Sequence, residues 1–445
     1  MSQDAPDNAP TRTVGAPREC FPGEQRAALV PADVGMLKKA GFEVIVERAL
    51  GSRAGYRDKE YAEQGATLAD NRNAVFDAAD VIVQVRTAGA NRHAGADDLN
   101  LLRSGQTLVG VCDPLSQPQI MQDVANKGVT CYSLELLPRV TRAQSMDVLS
   151  SQASIAGYKA VLTAATHLPR MCPMMMTAAG TIAPARFFIV GAGVAGLQAI
   201  ATARRLGAVV WAYDIRPAVK EEVLSLGAKF LEIDLVKSQD KQSGGYAQEM
   251  DEEFYRKQRE AMTSLIAETD VLITTAAVPG RKAPMLVTAD MVKGMPPGSV
   301  VVDLAAEQGG NVEVTKSGEV SVEFGVTVDG TINIPATVPY HSSQMFGRNV
   351  TTFLKHLMTE DAFDAKSDDE IVQGTLVTAD GNVVNSRVRE ALGLPALESS
   401  EERSADESTS SDTATDGESE SAKPDDAATT ESNETADTTD GKDES

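Results

Sequence analysis

The period of apolar and polar positions changes repeatedly along this chain, and each change marks an element. Phe187-Phe188-Ile189-Val190 is an unbroken apolar run closed by glycine, the mark of a strand buried on both faces. Leu197 to Leu206 then carries apolar residues at helical spacing, and Val209 to Tyr213 is a second apolar run. Upstream, Thr13 onward opens as a strand, Ala32 to Ala40 has helical spacing ended by Gly41, and Phe42 to Glu47 alternates as a strand. Strands are predicted at Val81–Val85, Thr107–Cys112 and Val129–Leu134, with Gln117–Lys127 the clearest helix between them and a long helix over Val148–Thr166. Downstream the rhythm continues: helix Ala218–Ser225, strand Lys229–Ile233, helix Glu252–Glu268, strand Val271–Thr275, helix Thr288–Lys293 and strand Ser299–Asp303. A returning helix over residues 341–358 and a small hairpin over Gly374–Asn385 follow.

This alternation predicts an α/β protein of two Rossmann-like, doubly wound parallel-sheet domains with a cleft between them. The first spans 13–138 and is completed by 335–396, and the second spans 139–334. Residues 397–445 differ in kind: 17 acids against 3 bases give this segment −14 of the chain's −23, with Leu397 its one hydrophobic side chain larger than alanine. Such a segment buries too little to offset its ordering entropy, so a disordered acidic tail is expected.

Charge and composition narrow the function further. A net −23 with no basic cluster argues against nucleic acid. No run of 18 apolar residues exists to cross a membrane, and polar Met1–Arg12 carries no signal-peptide core, so a cytoplasmic location is expected. Cys20, Cys112, Cys131 and Cys172 have no metal-binding spacing and read as buried small hydrophobes; no metal site is expected. Met171 and Met174–Met176 read as flexible core.

Chemistry concentrates on the 187–214 stretch. Gly191, Gly193 and Gly196 make the spacing GxGxxG between the strand and the helix, and Asp214 ends the second strand 18 positions later. Gly191 permits the tight turn, Gly193 lets backbone approach a pyrophosphate, and Gly196 lets helix and strand pack closely, while Val194 and Ala195 open the helix whose amino terminus faces the phosphates. Asp214, followed by Ile215 and Arg216, would hold the ribose hydroxyls and repel a 2′-phosphate, which favours NAD over NADP; Arg216 is the one residue nearby able to bind such a phosphate. Strand ends at Thr275–Gly280, with Ala276 and Pro279, and at Asp303–Asn311 should rim the cleft. The polar stretch Ser238–Met250, which contains Gly244-Gly245-Tyr246, reads as a disordered loop or a gate. Between the domains, Glu135–Asp147 crowds Arg, Gln and Asp at a strand end; residues alone leave a ligand loop and a helix cap equally open.

With these residues in view the chain resembles the soluble NAD(H)-binding α1 subunits (domain I) of proton-translocating NAD(P) transhydrogenases, in the superfamily shared with alanine dehydrogenase. The resemblance covers roughly 13–396 and rests on the runs Arg139 to Gln152, Pro173 to Thr181, Gly193 to Ala203 and Gly244 to Ala247. It implies that Arg139, Gln144, Asp147 and Ser150 contact the nicotinamide side of NAD(H), and that Gly245 and Tyr246 lie on a mobile loop closing over the nucleotide. It further implies a Re/Si-specific hydride transfer coupled to proton translocation, a homodimer, a partner NADP(H)-binding β subunit and a membrane-spanning α2 subunit, with docking on the inner face of the cell membrane through them. This chain departs from the relatives in its acidic tail and at Gln84-Val85-Arg86, where they carry Lys or Gln at one or more positions.

Two other readings compete. An alanine dehydrogenase needs a carboxylate-binding cation and a proton-handling His at a sheet end. Here Cys112-Asp113-Pro114 places Asp at that strand end, the only histidines are His93, His167, His341 and His356, and Arg26 reads as a structural ion pair. A silent NAD-binding regulator would not require the Arg139, Gln144 and Asp147 set.

Overall fold

The computed structural model describes residues 12–233, 252–277, 280–359, 363 and 367–396. Six strands come first: β1 (Thr13–Ala16), β2 (Glu43–Glu47), β3 (Thr67–Ala69), β4 (Val81–Arg86), β5 (Thr107–Val111) and β6 (Thr130–Ser133). A two-stranded hairpin, β7 (Met175–Thr177) and β8 (Gly180–Ile182), precedes β9 (Arg186–Val190), β10 (Val209–Tyr213), β11 (Lys229–Phe230), β12 (Val271–Thr274), β13 (Val300–Asp303), β14 (Val320–Glu323) and β15 (Val326–Asp329). The described chain closes with β16 (Leu376–Ala379) and β17 (Asn382–Val383).

These strands form two large sheets with one connectivity. The first runs β17-β16-β6-β5-β4-β1-β2-β3, parallel except for β16 and β17. The second runs β11-β10-β9-β12-β13-β15-β14, parallel except for the edge strand β14. Taken from one edge and counting only the strands that run parallel, both follow the order 3-2-1-4-5-6 of a doubly wound sheet, whose crevice opens where the winding reverses, beside the first strand of each. In the second sheet that strand is β9, flanked by β10 and β12. Phe187, Phe188 and Ile189 are wholly buried there because helices cover both faces, which is why the run is apolar without alternation.

Two helices tie the molecule together. Helix Val148–His167 leaves the first sheet and packs along helix Val194–Arg205 of the second, and a Cβ on Gly157 would fall 2.0 Å from the Ala195 carbonyl oxygen, so only glycine allows this approach. Helix Pro339–Thr359 returns to the first sheet, burying Phe346, Val350, Phe353 and Leu354, with Phe353 edge-on to Tyr132 at 5.7 Å.

Several sequence expectations need correction. Met174, Met175 and Met176 are exposed on and beside the β7–β8 hairpin rather than in a core; a three-residue hairpin outside both sheets has no second layer to cover it. Cys20 is exposed and accepts from Asn91 Nδ2 at 3.1 Å, while Cys112, Cys131 and Cys172 are buried. The strand expected over Lys229–Ile233 pairs only at 229–230, as an edge strand with one neighbour. The acidic 397–445 segment lies outside the described residues.

Candidate dinucleotide site

The GxGxxG turn sits at the carboxyl end of β9, at the point where the second sheet's winding reverses. Gly191 has φ 97°, a left-handed conformation, and a Cβ there would meet the Thr275 hydroxyl at 2.4 Å. A Cβ on Gly196 would fall 1.9 Å from the Gly191 carbonyl, so the third glycine holds helix against strand. Gly193 is different: the nearest atom to its Cβ position is Arg216 Nη2 at 3.9 Å, so its outer side is open. Gly193 caps helix Val194–Arg205 without any side-chain acceptor, Val194 is exposed and Ala195 half-buried. The helix amino terminus therefore presents its first-turn amides and a positive dipole end to that opening, which fits a pyrophosphate.

Asp214 follows β10 and is nearly buried. Its Oδ2 accepts the Ala192 N–H at 2.7 Å, which holds the carboxylate against the glycine turn, where a ribose attached to that pyrophosphate would lie. Ile215 is half-buried at the bend, and Arg216 folds back onto Asp214, donating from its backbone N–H at 2.9 Å, Nε at 3.0 Å and Nη2 at 3.0 Å. The carboxylate in turn raises the Arg216 guanidinium above its ordinary value by hydrogen bonding.

Ala276, past the end of β12, exchanges two hydrogen bonds with the Asn311 side chain, 3.0 Å from its N–H and 2.8 Å to its carbonyl. Asn311 is fixed by buried Asp303, whose Oδ2 accepts the Asn311 and Val312 amides and whose Oδ1 accepts the Thr274 hydroxyl. Thr275, Asp303 and Asn311 thus shape the floor of the turn and the rim beside it. Asp303 and Asn311 fall inside a stretch that the sequence assigns to the rim, but nothing in the spacing singles them out. Pro279, Gly245 and Tyr246 lie outside the described residues.

The Arg139–Ser150 segment is carried at the carboxyl edge of the first sheet, just beyond β6, in a short 3₁₀ turn over Thr141–Met146. Asp147 is the cap of helix Val148–His167, accepting the Ser150 N–H at 2.9 Å on Oδ1 and the Ser150 hydroxyl on Oδ2. The cap geometry left open by the sequence is therefore present, with Ser150 as its partner. Arg139 and Gln144 are exposed beside it. Two contacts from the returning chain steady this turn: Asn349 Nδ2 donates to the Ser145 carbonyl at 2.8 Å, and Arg142 pairs with Asp369 at 2.9 Å.

The carboxyl edges of the two sheets face each other. Arg86, at the end of β4, donates from Nη1 and Nη2 to Glu307, beyond β13, at 2.7 and 3.1 Å, and stacks over Phe21 at 4.3 Å. Arg26 donates to both Glu24 oxygens at 2.8 and 2.7 Å, to Gln152 at 2.9 Å and to Asn333 at 2.9 Å. Burial would raise the Glu24 carboxyl, but Arg26 and Asn333 outweigh it and bring it down to about 2. A cavity of about 490 Å³ beside this cluster is lined by Arg18, Arg26, Arg53 and Arg72, each of which already donates to a protein oxygen. The histidines are dispersed: His167 meets Asp329 at 3.3 Å, His356 meets Asp369 at 2.9 Å, His93 packs edge-on to Phe21 and His341 on Tyr340. Among the described residues no group of three or more His, Cys, Asp or Glu is placed to hold a metal, and no helix is long and apolar enough to cross a membrane.

The sheet order, the open glycine turn and the acid at the end of β10 define a dinucleotide-binding α/β protein. Residues 15–156 match the alanine dehydrogenase/PNT N-terminal domain and residues 160–386 the C-terminal domain of the same family. The chain is 44% identical over 376 residues to the first-part polypeptide of the NAD(P) transhydrogenase alpha subunit of Rhodospirillum rubrum, covering 84% of this chain and 97% of that protein. Among solved structures, a transhydrogenase from Sinorhizobium meliloti superposes with a TM-score of 0.73 at 41% identity, over 84% of this chain and 99% of that one. An L-alanine dehydrogenase superposes with a TM-score of 0.71 over 86% of this chain and 99% of that one; at 24% identity it shares the fold. The chain belongs to the alanine dehydrogenase/PNT family.

Proposed function

We propose that this chain is the NAD(H)-binding subunit of a proton-translocating NAD(P) transhydrogenase and passes hydride between NAD(H) held here and NADP(H) held by a partner subunit. NAD(H) is its cofactor. Support comes from the transhydrogenase subunits it resembles at 41–44% identity over nearly their whole length. The bound dinucleotide supplies the hydride chemistry. The chain's own work is to bind, orient and exclude water. Asp214 takes the ribose hydroxyls, the amides at Gly193–Gly196 take the pyrophosphate, and Gln144 and Arg139 donate to the carboxamide oxygen while Asp147 accepts from its amide nitrogen. Transfer between two such rings needs no protein acid or base.

One observation carries this reading over an amino-acid dehydrogenase: the Arg26 fork is consumed by Glu24, Gln152 and Asn333, so it offers no bidentate seat to a substrate carboxylate. Glu307 is likewise engaged by Arg86, and Asp113 by Arg92 at 3.1 Å. The proposal extends to a homodimer that docks on the inner face of the cell membrane through an NADP(H)-binding β subunit and a membrane-spanning α2 subunit. Fluorescence titration with NADH and NADPH tests the cofactor assignment: NADH should bind far more tightly, and equal dissociation constants would overturn it.

A further inference from the structure

We propose that Asp214 and Arg216 together form a masked 2′-phosphate site, in which one carboxylate both claims the ribose and neutralises a cation that would otherwise bind NADP(H). The proposal rests on the assignment of Asp214 to the adenosine ribose. A 2′-phosphate replaces one of the two hydroxyls that such an acid holds, so its charge would fall where the Asp214 carboxylate and the Arg216 guanidinium meet. In this chain the guanidinium gives the carboxylate two hydrogen bonds of 3.0 Å and the Arg216 backbone N–H adds a third of 2.9 Å, with the Asp214 side chain only 6% exposed and the Arg216 side chain 34% exposed. The guanidinium also reaches to 3.9 Å from the Cβ position of Gly193, so it stands between the ribose acid and the phosphate turn. Among the described residues a second acid, Glu222 in helix Lys220–Ser225, also acts on it.

The arrangement has a consequence for selectivity. With Asp214 charged, a 2′-phosphate meets a repelling carboxylate and a guanidinium whose Nε hydrogen and one Nη2 hydrogen are already given to that carboxylate. With the acid's charge removed, the Nε–Nη2 edge of Arg216 that Asp214 engages becomes open to a phosphate. A transhydrogenase gains from the mask, because NADP(H) bound here would exchange hydride with NADP(H) on the partner and accomplish nothing. Discrimination therefore resides in the pair, and the mask is one carboxylate deep.

The test uses the full chain and three variants, Asp214→Asn, Arg216→Met and Asp214→Asn/Arg216→Met, each titrated with NADH and NADPH. Trp211, the chain's single tryptophan, lies on β10 three residues before Asp214 and provides the signal. An Asn at 214 keeps one side-chain oxygen to accept the Ala192 N–H. In Asp214→Asn, NADPH should tighten by roughly tenfold to a hundredfold, the range for charge-assisted hydrogen bonds, while NADH weakens. In the double variant the NADPH gain should disappear, and Arg216→Met alone should leave NADPH weak. The inference is overturned if Asp214→Asn does not tighten NADPH, or if the double variant keeps the gain. Thermal melts accompany each titration, and Asp214→Ser repeats the comparison should the Asn variant melt early. A parent chain that fails to prefer NADH strikes the functional proposal itself, whereas a selective parent with Arg216-independent variants strikes only the mask.

Discussion

At the scale of single residues the site divides into groups that hold the cofactor and groups that hold the protein. The proposed function puts Gln144, an exposed residue, in the first group, and under that proposal the hydride must cross between carbons held about 3–3.5 Å apart, a geometry that a 1 Å error can degrade roughly a hundredfold. Gln144→Asn shortens the arm on the carboxamide, so single-turnover hydride transfer to an NADP analogue should slow by roughly ten to a hundredfold with NADH affinity little changed. Equal losses of rate and affinity would make the turn an ordinary binding element. Glu19 belongs to the second group: buried, it accepts the Val85 N–H at 2.6 Å, and burial, with the charge of Glu24 adding, pushes its carboxyl up to about 8 from an ordinary 4.5. A raised value means that the folded chain keeps a proton that the unfolded chain releases. Its contribution is therefore present below about pH 4.5 and is lost as pH climbs towards 8. Denaturant unfolding from pH 4.5 to 9 should show the stability difference between Glu19→Gln and the parent shifting in favour of the variant as pH rises; a pH-independent difference would contradict the assignment.

At the scale of elements, the close crossing of helix Val148–His167 over helix Val194–Arg205 joins the Thr141–Met146 turn, which the proposed function gives to the nicotinamide, to the glycine turn, which it gives to the pyrophosphate. Gly157→Ala sets a methyl group 2.0 Å from the Ala195 carbonyl, so one helix must move. It should cost on the order of 1–3 kcal/mol of stability, the usual range for an overpacked core, and weaken NADH, as read by melting and titration. A variant with parental stability and affinity would show the crossing to be loose. Elements of this kind were legible to differing degrees. The Phe187–Asp214 stretch was plain in the sequence because strand, glycines, helix and acid are local and each has one physical reading. The helix Pro339–Thr359 was equally visible, since its apolar face keeps one period over 21 residues. By contrast β14 and β15 went unmarked: they form a short hairpin at a sheet edge, and exposed Val320 and Val322 break the expected inside-outside pattern. The Met hairpin misled because methionine is usually buried, and Cys20 for the same reason. The Asp303–Asn311 brace and the Arg86–Glu307 pair depend on partners up to 221 positions apart, which no spacing reveals.

At the scale of the whole molecule, two sheets of one connectivity set their carboxyl edges face to face, and the functional proposal needs a second nucleotide brought to that cleft by another subunit. Within the described residues the chain from 12 to 396 carries the two sheets and their braces. A chain ending at Ala396 should therefore bind NADH with the parent's affinity and keep the proposed dimer, as read by titration and light scattering. Lost affinity or a monomer would assign the acidic segment a role in the fold. The central claim is that this chain supplies one half of a hydride exchange, and the most direct measurement mixes the purified chain with an NADP(H)-binding transhydrogenase subunit and follows reduction of an NADP analogue by NADH. The account predicts transfer when both proteins are present, none from either alone, and no turnover of pyruvate with ammonia and NADH. Robust turnover of pyruvate by this chain alone, or a mixture that binds both nucleotides and transfers nothing, would contradict it.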